Sequence, residues 1–386
     1  MNTQRLYEED AYCREFTARV LSCRRVGEQY AVVLDRTAFF PEGGGQAADA
    51  GTLAGIPVLD VQIRNQVILH TLTAPLPEGS EVTGLLDWNT RFSRMQKHTG
   101  EHMVSGLIHR NWGLDNVGFH LGREDVTLDI NGVLSRQQLD EVEDLANRAV
   151  WDNRPVRAWF PSPEEQTFLS YRSKKAVDGA LRIVEVEGID RCACCAPHVA
   201  HTGEIGMILL LDAIHYKGGM RIHLQCGQDA LLEHRMRFRE TEAAAAALSV
   251  KPPELTAAVG RLLAQRDELS RQLHKERSRR AADYVRQATI EELTPMFRSD
   301  PLDNAAMRQV LEGLLERGIS PAGLFVGEDA TGYRFAVMGS VDLPSLARRM
   351  KEELGSRGGG SAEIVQGQVN ATAETIRAFW NREANK

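Results

Sequence analysis

From Tyr12 to Asp87 the chain alternates short apolar segments (ARVLSCRRV, YAVVLD, IPVLDVQI, QVILHTL) with glycine, proline and asparagine signals at close spacing. Short apolar runs bounded by turn residues predict strands, and their number predicts a small sheet or barrel. Within it lies FFPEGGGQAADAGTL, where Gly43, Gly44 and Gly45 give a backbone free to adopt conformations closed to residues that carry a Cβ. At Asn89 the period changes. TRFSRMQKHTGEHMVSGLIHRNW carries apolar residues at helical spacing, with Asn89 or Thr90 as its expected cap. A strand (VTLDI), a helix after Ser135, strands around RIVEVEGIDR and a buried strand GMILLLDAI follow, an alternation that points to α+β.

Beyond Asp229 the composition is almost continuously helical to about Thr294, broken at Pro252 and Pro253. Leu255, Val259, Leu262, Leu263, Leu269 and Leu273 recur at roughly heptad spacing among charges, which reads as a helical hairpin or short coiled coil. The remainder returns to mixed structure: GLFVGEDATGYRFAVMG as a hairpin, LPSLARRMKEELGS as a helix and RGGGSAEIVQG as a glycine loop entering a strand. The expected organisation is therefore a Gly-rich β-barrel domain over residues 1–88, an α+β domain over 89–228, a helical arm over 229–295 and a C-terminal α/β domain over 296–386.

Length and composition agree with several folded domains, since 386 residues with 42% hydrophobic and 26% charged residues match neither a disordered nor a fibrous chain. Lys plus Arg number 46 against 53 Asp plus Glu, a net charge of −7, so no global positive field draws in nucleic acid. Any polyanion must be held by local basic density, of which RFSRMQK (91–97), HKERSRRAADYVRQ (274–287) and LARRMK (346–351) are the candidates. The six cysteines, three of them crowded at Cys192, Cys194 and Cys195, do not form the even framework of a stapled secreted domain. With no leader-like start and no apolar run approaching the ~18 residues of a spanning helix, the expectation is a cytoplasmic protein with no membrane partner.

The candidate chemistry lies in two places. His98 and His102 stand one turn apart on the predicted helix and leave the same face. Cys194 and His198 form a C-x-x-x-H pair in RCACCAPHVAHTGEIG, and together the four are donors of the type zinc takes. Either Cys192 or Cys195 could supply the thiolate instead. Glu101 flanks the histidine face and is a candidate to take a proton from a metal-activated water; a solvated helix glutamate is the plainer alternative.

On these residues the chain resembles the AlaX family of free-standing alanyl-tRNA editing proteins and the editing half of alanyl-tRNA synthetase. TAFFPEGGGQAADAG (37–51) is similar to the family's Gly-rich motif, HTGEH (98–102) to its H-x-x-x-H, and CCAPHVAHTGEIG (194–206) to its C-x-x-x-H with T-G-E-I-G after it. RGGGSAEIVQG is similar to the DHH-associated domain of the long members. The resemblance implies a Zn2+-dependent esterase that deacylates mischarged tRNA(Ala), seryl-tRNA(Ala) first and glycyl-tRNA(Ala) second. It places the metal ligands on His98, His102, Cys194 and His198 and serine recognition on Thr37. Gly43, Gly44, Gly45 and Gln46 of the Gly-rich motif are the other expected substrate-binding residues. Two departures, Glu101 between the histidines and His120 where the synthetase keeps a glutamine, make those residues the candidates for orienting water. The competing expectations are a non-catalytic tRNA-binding protein with a structural zinc, and editing of another tRNA such as that for threonine. The arm or the C-terminal domain is the expected seat of a homodimer.

Overall fold

The computed structural model describes residues 2–122, 126–173, 180–287, 289 and 295–384. Its contacts divide the chain into two compact units, Met1–Ala243 and Ala244–Lys386. The whole is a mixed α+β protein.

In the first unit, β1 (Glu15–Val26), β2 (Gln29–Leu34), β3 (Gly51–Leu53), β4 (Ile56–Arg64), β5 (Val67–Leu72) and β6 (Glu81–Leu86) pair in the order β1-β2-β5-β4-β3-β6 and close on themselves. Alternation carries this arrangement. Phe16, Ala18 and Val20 of β1 and Val82 and Leu86 of β6 point inward, as do Ile68 and Leu72 of β5, while the alternate positions of each strand face outward. His70 occupies the inward position between Ile68 and Leu72, so an imidazole is sealed among Val32, Phe39 and other apolar groups.

Helix α1 (Trp88–Trp112) leaves this barrel. Its cap is Asp87, whose side chain accepts from Thr90 N at 3.2 Å, so helix starts one or two residues before the asparagine and threonine that the pattern favoured. It ends at Gly113 in the left-handed conformation. From Met95 to Ile108 every residue is buried, so the helix is the spine of a second core rather than an amphipathic surface helix. Strands β7 (Asn116–Leu121) and β8 (Val126–Ile130) join β12 (Ile208–Tyr216) and β13 (Gly219–Cys226) in an antiparallel sheet ordered β12-β13-β8-β7. Helix α2 (Arg136–Trp151), capped by the Ser135 and Gln138 box, packs on the same core. A second small sheet of β9 (Val156–Trp159), β10 (Ile183–Val186) and β11 (Asp190–Ala193) delivers the cysteine loop.

Helix α3 (Gly227–Ala247) and helix α4 (Leu255–Gln287) flank the Pro252–Pro253 break. The end of the expected arm, residues 288 and 290–294, lies outside the described residues. Val259, Leu262, Leu263, Leu269 and Leu273 of α4 are exposed. In the second unit, β14 (Met296–Arg298), β15 (Ala322–Glu328), β16 (Gly332–Met338), β17 (Arg357–Gly360) and β18 (Ile364–Val369) form a sheet in the order β14-β15-β16-β18-β17. Leu324, Val326, Ala336 and Met338 pack against α5 (Asn304–Glu316) on one face. Phe325, Phe335 and Val337 pack against α6 (Leu343–Leu354) and α7 (Ala373–Ala384) on the other. Among the described residues no helix is long and apolar enough to cross a membrane.

Candidate metal centre

Helix α1 presents His98 and His102 on one buried side, and the loop after β11 brings Cys194 and His198 against them. Cys194 Sγ lies 3.6 Å from His98 Nε2 and 3.4 Å from His198 Nε2, and the four donor atoms all lie within 4.8 Å of one another. A tetrahedral zinc with ordinary Zn–S and Zn–N bonds has S···N edges of about 3.6 Å. The two sulfur contacts match that spacing. Cys194 is the thiol brought to the three histidines, whereas Cys192 sits in a different group with His102 and Asp190.

Each histidine is oriented by a partner on its other nitrogen. His98 Nδ1 donates to Gln46 Oε1 at 2.8 Å and His102 Nδ1 to Asp190 Oδ2 at 3.1 Å. Thr99 spends its own proton on Met95 O at 2.8 Å, so its Oγ1 accepts from His198 Nδ1 at 3.0 Å. All three Nδ1 atoms are thereby protonated, and the three Nε2 lone pairs are left to converge on one point. Metal-bound histidines are held in this way, and the donor set fits the ion that the sequence resemblance implies.

The electrostatics agree with a cationic guest. Burial alone pushes the Cys194 thiol up, but the surrounding His98 and His198 outweigh it and hold the thiol well below its ordinary range. Burial favours neutral His102, yet its hydrogen bond to Asp190 and its contact with Cys194 lift it to about 9. His198 is pushed down to about 3, chiefly by burial. Asp190, whose burial is overridden by His102 and Arg172, falls to about 2.

The cluster borders a cavity of about 570 Å³ whose wall includes Gly43, Gly44, Gly45, His98, His102, Phe119, Arg182 and Cys194. Gly44 and Gly45 have φ of 62° and 85°, and a Cβ on Gly45 would meet Phe119 O at 2.7 Å. Only glycine permits that turn and that approach at position 45. The loop closes by reciprocal bonds between the Gly43 and Gln46 backbones, each 3.0 Å, and docks on β7 through Leu121 N to Gly45 O at 2.8 Å. Its far end is clamped to α1, where fully buried Arg91 donates to Asp49 and Arg94 donates to Ala48 O at 2.6 Å.

The other expected site residues separate. Gln46 reaches the cluster, as the orienting partner of His98. Thr37 is 0% exposed and is not part of the cavity wall. Because His70 Nδ1 donates to Val32 O at 3.2 Å, His70 Nε2 accepts from the Thr37 hydroxyl at 2.9 Å, and Thr37 Oγ1 accepts from Phe39 N at 3.1 Å. Glu101 is buried, but its carboxylate accepts from Asn116 Nδ2 at 2.6 Å and is not part of the cavity wall, because adjacent helical positions do not share a face with His102. Phe119 lies tilted against His98 with ring centroids 4.9 Å apart, so His120, the next residue of the strand, faces away and is exposed. Asp190, Thr99, Arg172 and Arg182 were not singled out from the sequence. An acid four residues before Cys194 was the one available signal. The basic segment 91–97 is spent internally: Arg91 on Asp49, and Lys97, 4% exposed, on Asp229 at 2.7 Å.

Residues 13–90 match the family model for tRNA synthetases class II (A), and residues 181–224 match that for the threonyl and alanyl tRNA synthetase second additional domain. The alanine–tRNA ligase of Ignicoccus hospitalis is 30% identical over 93% of this chain and 40% of its own length. The alanine–tRNA ligase of Pyrococcus abyssi is 30% identical over 98% of this chain and 43% of its own. The alanyl-tRNA editing protein AlaX-L of Pyrococcus horikoshii is 27% identical over 97% of this chain and 96% of its own. The chain thus spans less than half the length of the two ligases and nearly all of the editing protein.

Proposed function

We propose that this chain, a relative of the AlaX editing proteins along nearly its whole length, is a zinc-dependent hydrolase that removes the wrong amino acid from mischarged tRNA(Ala), with seryl-tRNA(Ala) as its first substrate and glycyl-tRNA(Ala) as its second. The observation that carries the reading is the convergence of four donors, three of them oriented imidazoles, beside a cavity lined by His98, His102 and Cys194 together with a loop of three glycines.

His98, His102, Cys194 and His198 hold the zinc, which when bound supplies Lewis-acid polarisation or anchoring of an ester substrate. The chain's own groups do the rest. Gln46, Asp190 and Thr99 fix the three imidazoles before substrate arrives, so no reorganisation is left for the reaction. The Gly43–Gly45 backbone brings peptide groups close to the aminoacyl end, and Phe119 gives the pocket an apolar flank against His98. An aminoacyl ester is already activated, so orientation and electrostatic stabilisation suffice without a covalent nucleophile. Thr37 acts as a positioning residue, because it anchors the root of the Gly-rich segment to His70 while Asp49 and Arg91 anchor the far end. Discrimination of serine from alanine then rests on a site that hydrogen-bonds the extra hydroxyl, which rejects strongly the ester that lacks it.

Four protein donors also describe a closed structural zinc. The open cavity beside this cluster favours a site that admits a substrate. The test is the rate of release from seryl-, glycyl- and alanyl-tRNA(Ala): selective hydrolysis of the first is expected, and equal rates on all three contradict the proposed specificity.

A further inference from the structure

We propose that Arg182 holds the last phosphodiester of the tRNA acceptor end inside the cavity. The inference rests on the deacylase reading, which supplies the ligand, but its observations are separate.

Arg182 is 4% exposed and lines the cavity together with His98, His102 and Cys194. One arm of its guanidinium is used, Nη1 donating to Cys194 O at 3.1 Å and to Ala196 O at 3.0 Å. Among the described residues its Nε–H is buried without a partner. The other guanidiniums bordering the site each face a carboxylate: Arg5, on the same cavity wall, faces Glu8 at 2.9 Å, Arg172 faces Asp190 at 2.8 Å, and Arg91 faces Asp49. The partners described for Arg182 are carbonyls, which satisfy two hydrogens and leave the charge. Among the described residues no carboxylate pairs with Arg182; a buried charge without a counter-ion is costly, and a neutral amide could tether the same two carbonyls. A fork-shaped cation on a cavity wall, paired among the described residues only with carbonyls, is suited to an anionic oxygen.

The substrate narrows the anion. The aminoacyl ester is neutral apart from its ammonium group, and the formal negative charge at the 3′ end belongs to the phosphates. Arg182 therefore contributes to ground-state binding of the terminal nucleotide, and its loss belongs in KM.

The test compares binding of adenosine 5′-monophosphate, which carries the terminal nucleotide's phosphate, with binding of adenosine to the zinc-loaded full chain by calorimetry. The nucleotide should bind about tenfold or more tightly than the nucleoside, the range of a hydrogen bond to a charged group. In Arg182→Gln that preference should shrink to about twofold or less with zinc content unchanged, and KM for seryl-tRNA(Ala) should rise about tenfold with kcat nearly unaltered. Arg182→Lys, which keeps the charge without the fork, should retain part of the preference. Equal binding in the wild type, no measurable binding of either probe, or a preference that survives Arg182→Gln would overturn the proposal. So would a loss confined to kcat, which would place Arg182 on the developing charge of the ester. The binding measurement does not need hydrolysis, so failure of this inference and failure of the deacylase reading give different results.

Discussion

The Asp190 carboxylate stands between an imidazole and a guanidinium, accepting from His102 Nδ1 at 3.1 Å on one oxygen and from Arg172 Nε at 2.8 Å on the other. Arg172 in turn donates to Ser105 Oγ at 2.8 Å, so the acid is fixed from both sides and fixes the imidazole. Removing such a partner from a metal-bound histidine weakens metal binding by about 10- to 100-fold. Asp190→Ala should show that loss in competition with a chelator, while zinc affinity equal to wild type would remove Asp190 from the account of the site.

The Gly-rich loop is tested at Gly45, whose φ of 85° and 2.7 Å approach to Phe119 O leave no room for a methyl group. A left-handed conformation costs a side-chain-bearing residue ~1–2 kcal/mol before any clash. Gly45→Ala should move the loop off the cavity and lower kcat/KM for seryl-tRNA(Ala) by about tenfold or more, with zinc content preserved. Gly43→Ala, where the nearest atom to an added Cβ is 3.9 Å away, is the control that should stay near wild type in stability.

His70 gives a pH dependence. Burial lowers its folded-state value from 6.5 to about 4, against a weaker opposing effect of the bond to Val32. The folded state keeps it neutral, so between pH 6.5 and about 4 the unfolded chain binds the extra proton and stability falls as the pH falls. The sign follows from the depressed value: the contribution is complete above 6.5 and gone below about 4. At ~1.4 kcal/mol per unit the loss is on the order of 3–4 kcal/mol. Urea unfolding of wild type and His70→Gln across this window should show the extra slope in the wild type alone; parallel curves would contradict it.

Much of this could be read from residue spacing, and the exceptions have identifiable causes. H-x-x-x-H on a helix and C-x-x-x-H on a loop are local patterns, and the structure brings those four side chains together. The partners Asp190 and Thr99 lie 88 and 99 residues from the histidines they orient, and no periodicity reports such pairings. Nearness to His102 favours Glu101 and the family resemblance favours His120, but one step along a helix or a strand turns a side chain away. RFSRMQK looked like a solvent-facing basic patch because charge in sequence does not disclose burial; Arg91 is instead sealed against Asp49. The inward alternation of β1, β5 and β6 was legible for the opposite reason, since a period of two is set by the strand itself.

The Arg91–Asp49 clamp carries its own prediction. Both side chains are buried, at 0% and 1% exposure, and removing Arg91 leaves Asp49 with only the longer 3.7 Å contact to Arg94. Arg91→Met should cost about 3–5 kcal/mol in the stability of the first unit, and Arg91→Met with Asp49→Leu should recover part of it. A single substitution as stable as wild type would show that the clamp does not hold the loop.

The most direct test is serine release from seryl-tRNA(Ala) by the zinc-loaded protein, by the same protein after chelation, after zinc is restored, and by zinc-treated His102→Ala. Hydrolysis by the loaded protein, its loss on chelation, its return with zinc and its absence in the variant are expected. Undiminished hydrolysis after chelation or in His102→Ala, or no hydrolysis by the loaded protein, would contradict the claim that this four-donor cluster is the seat of deacylation.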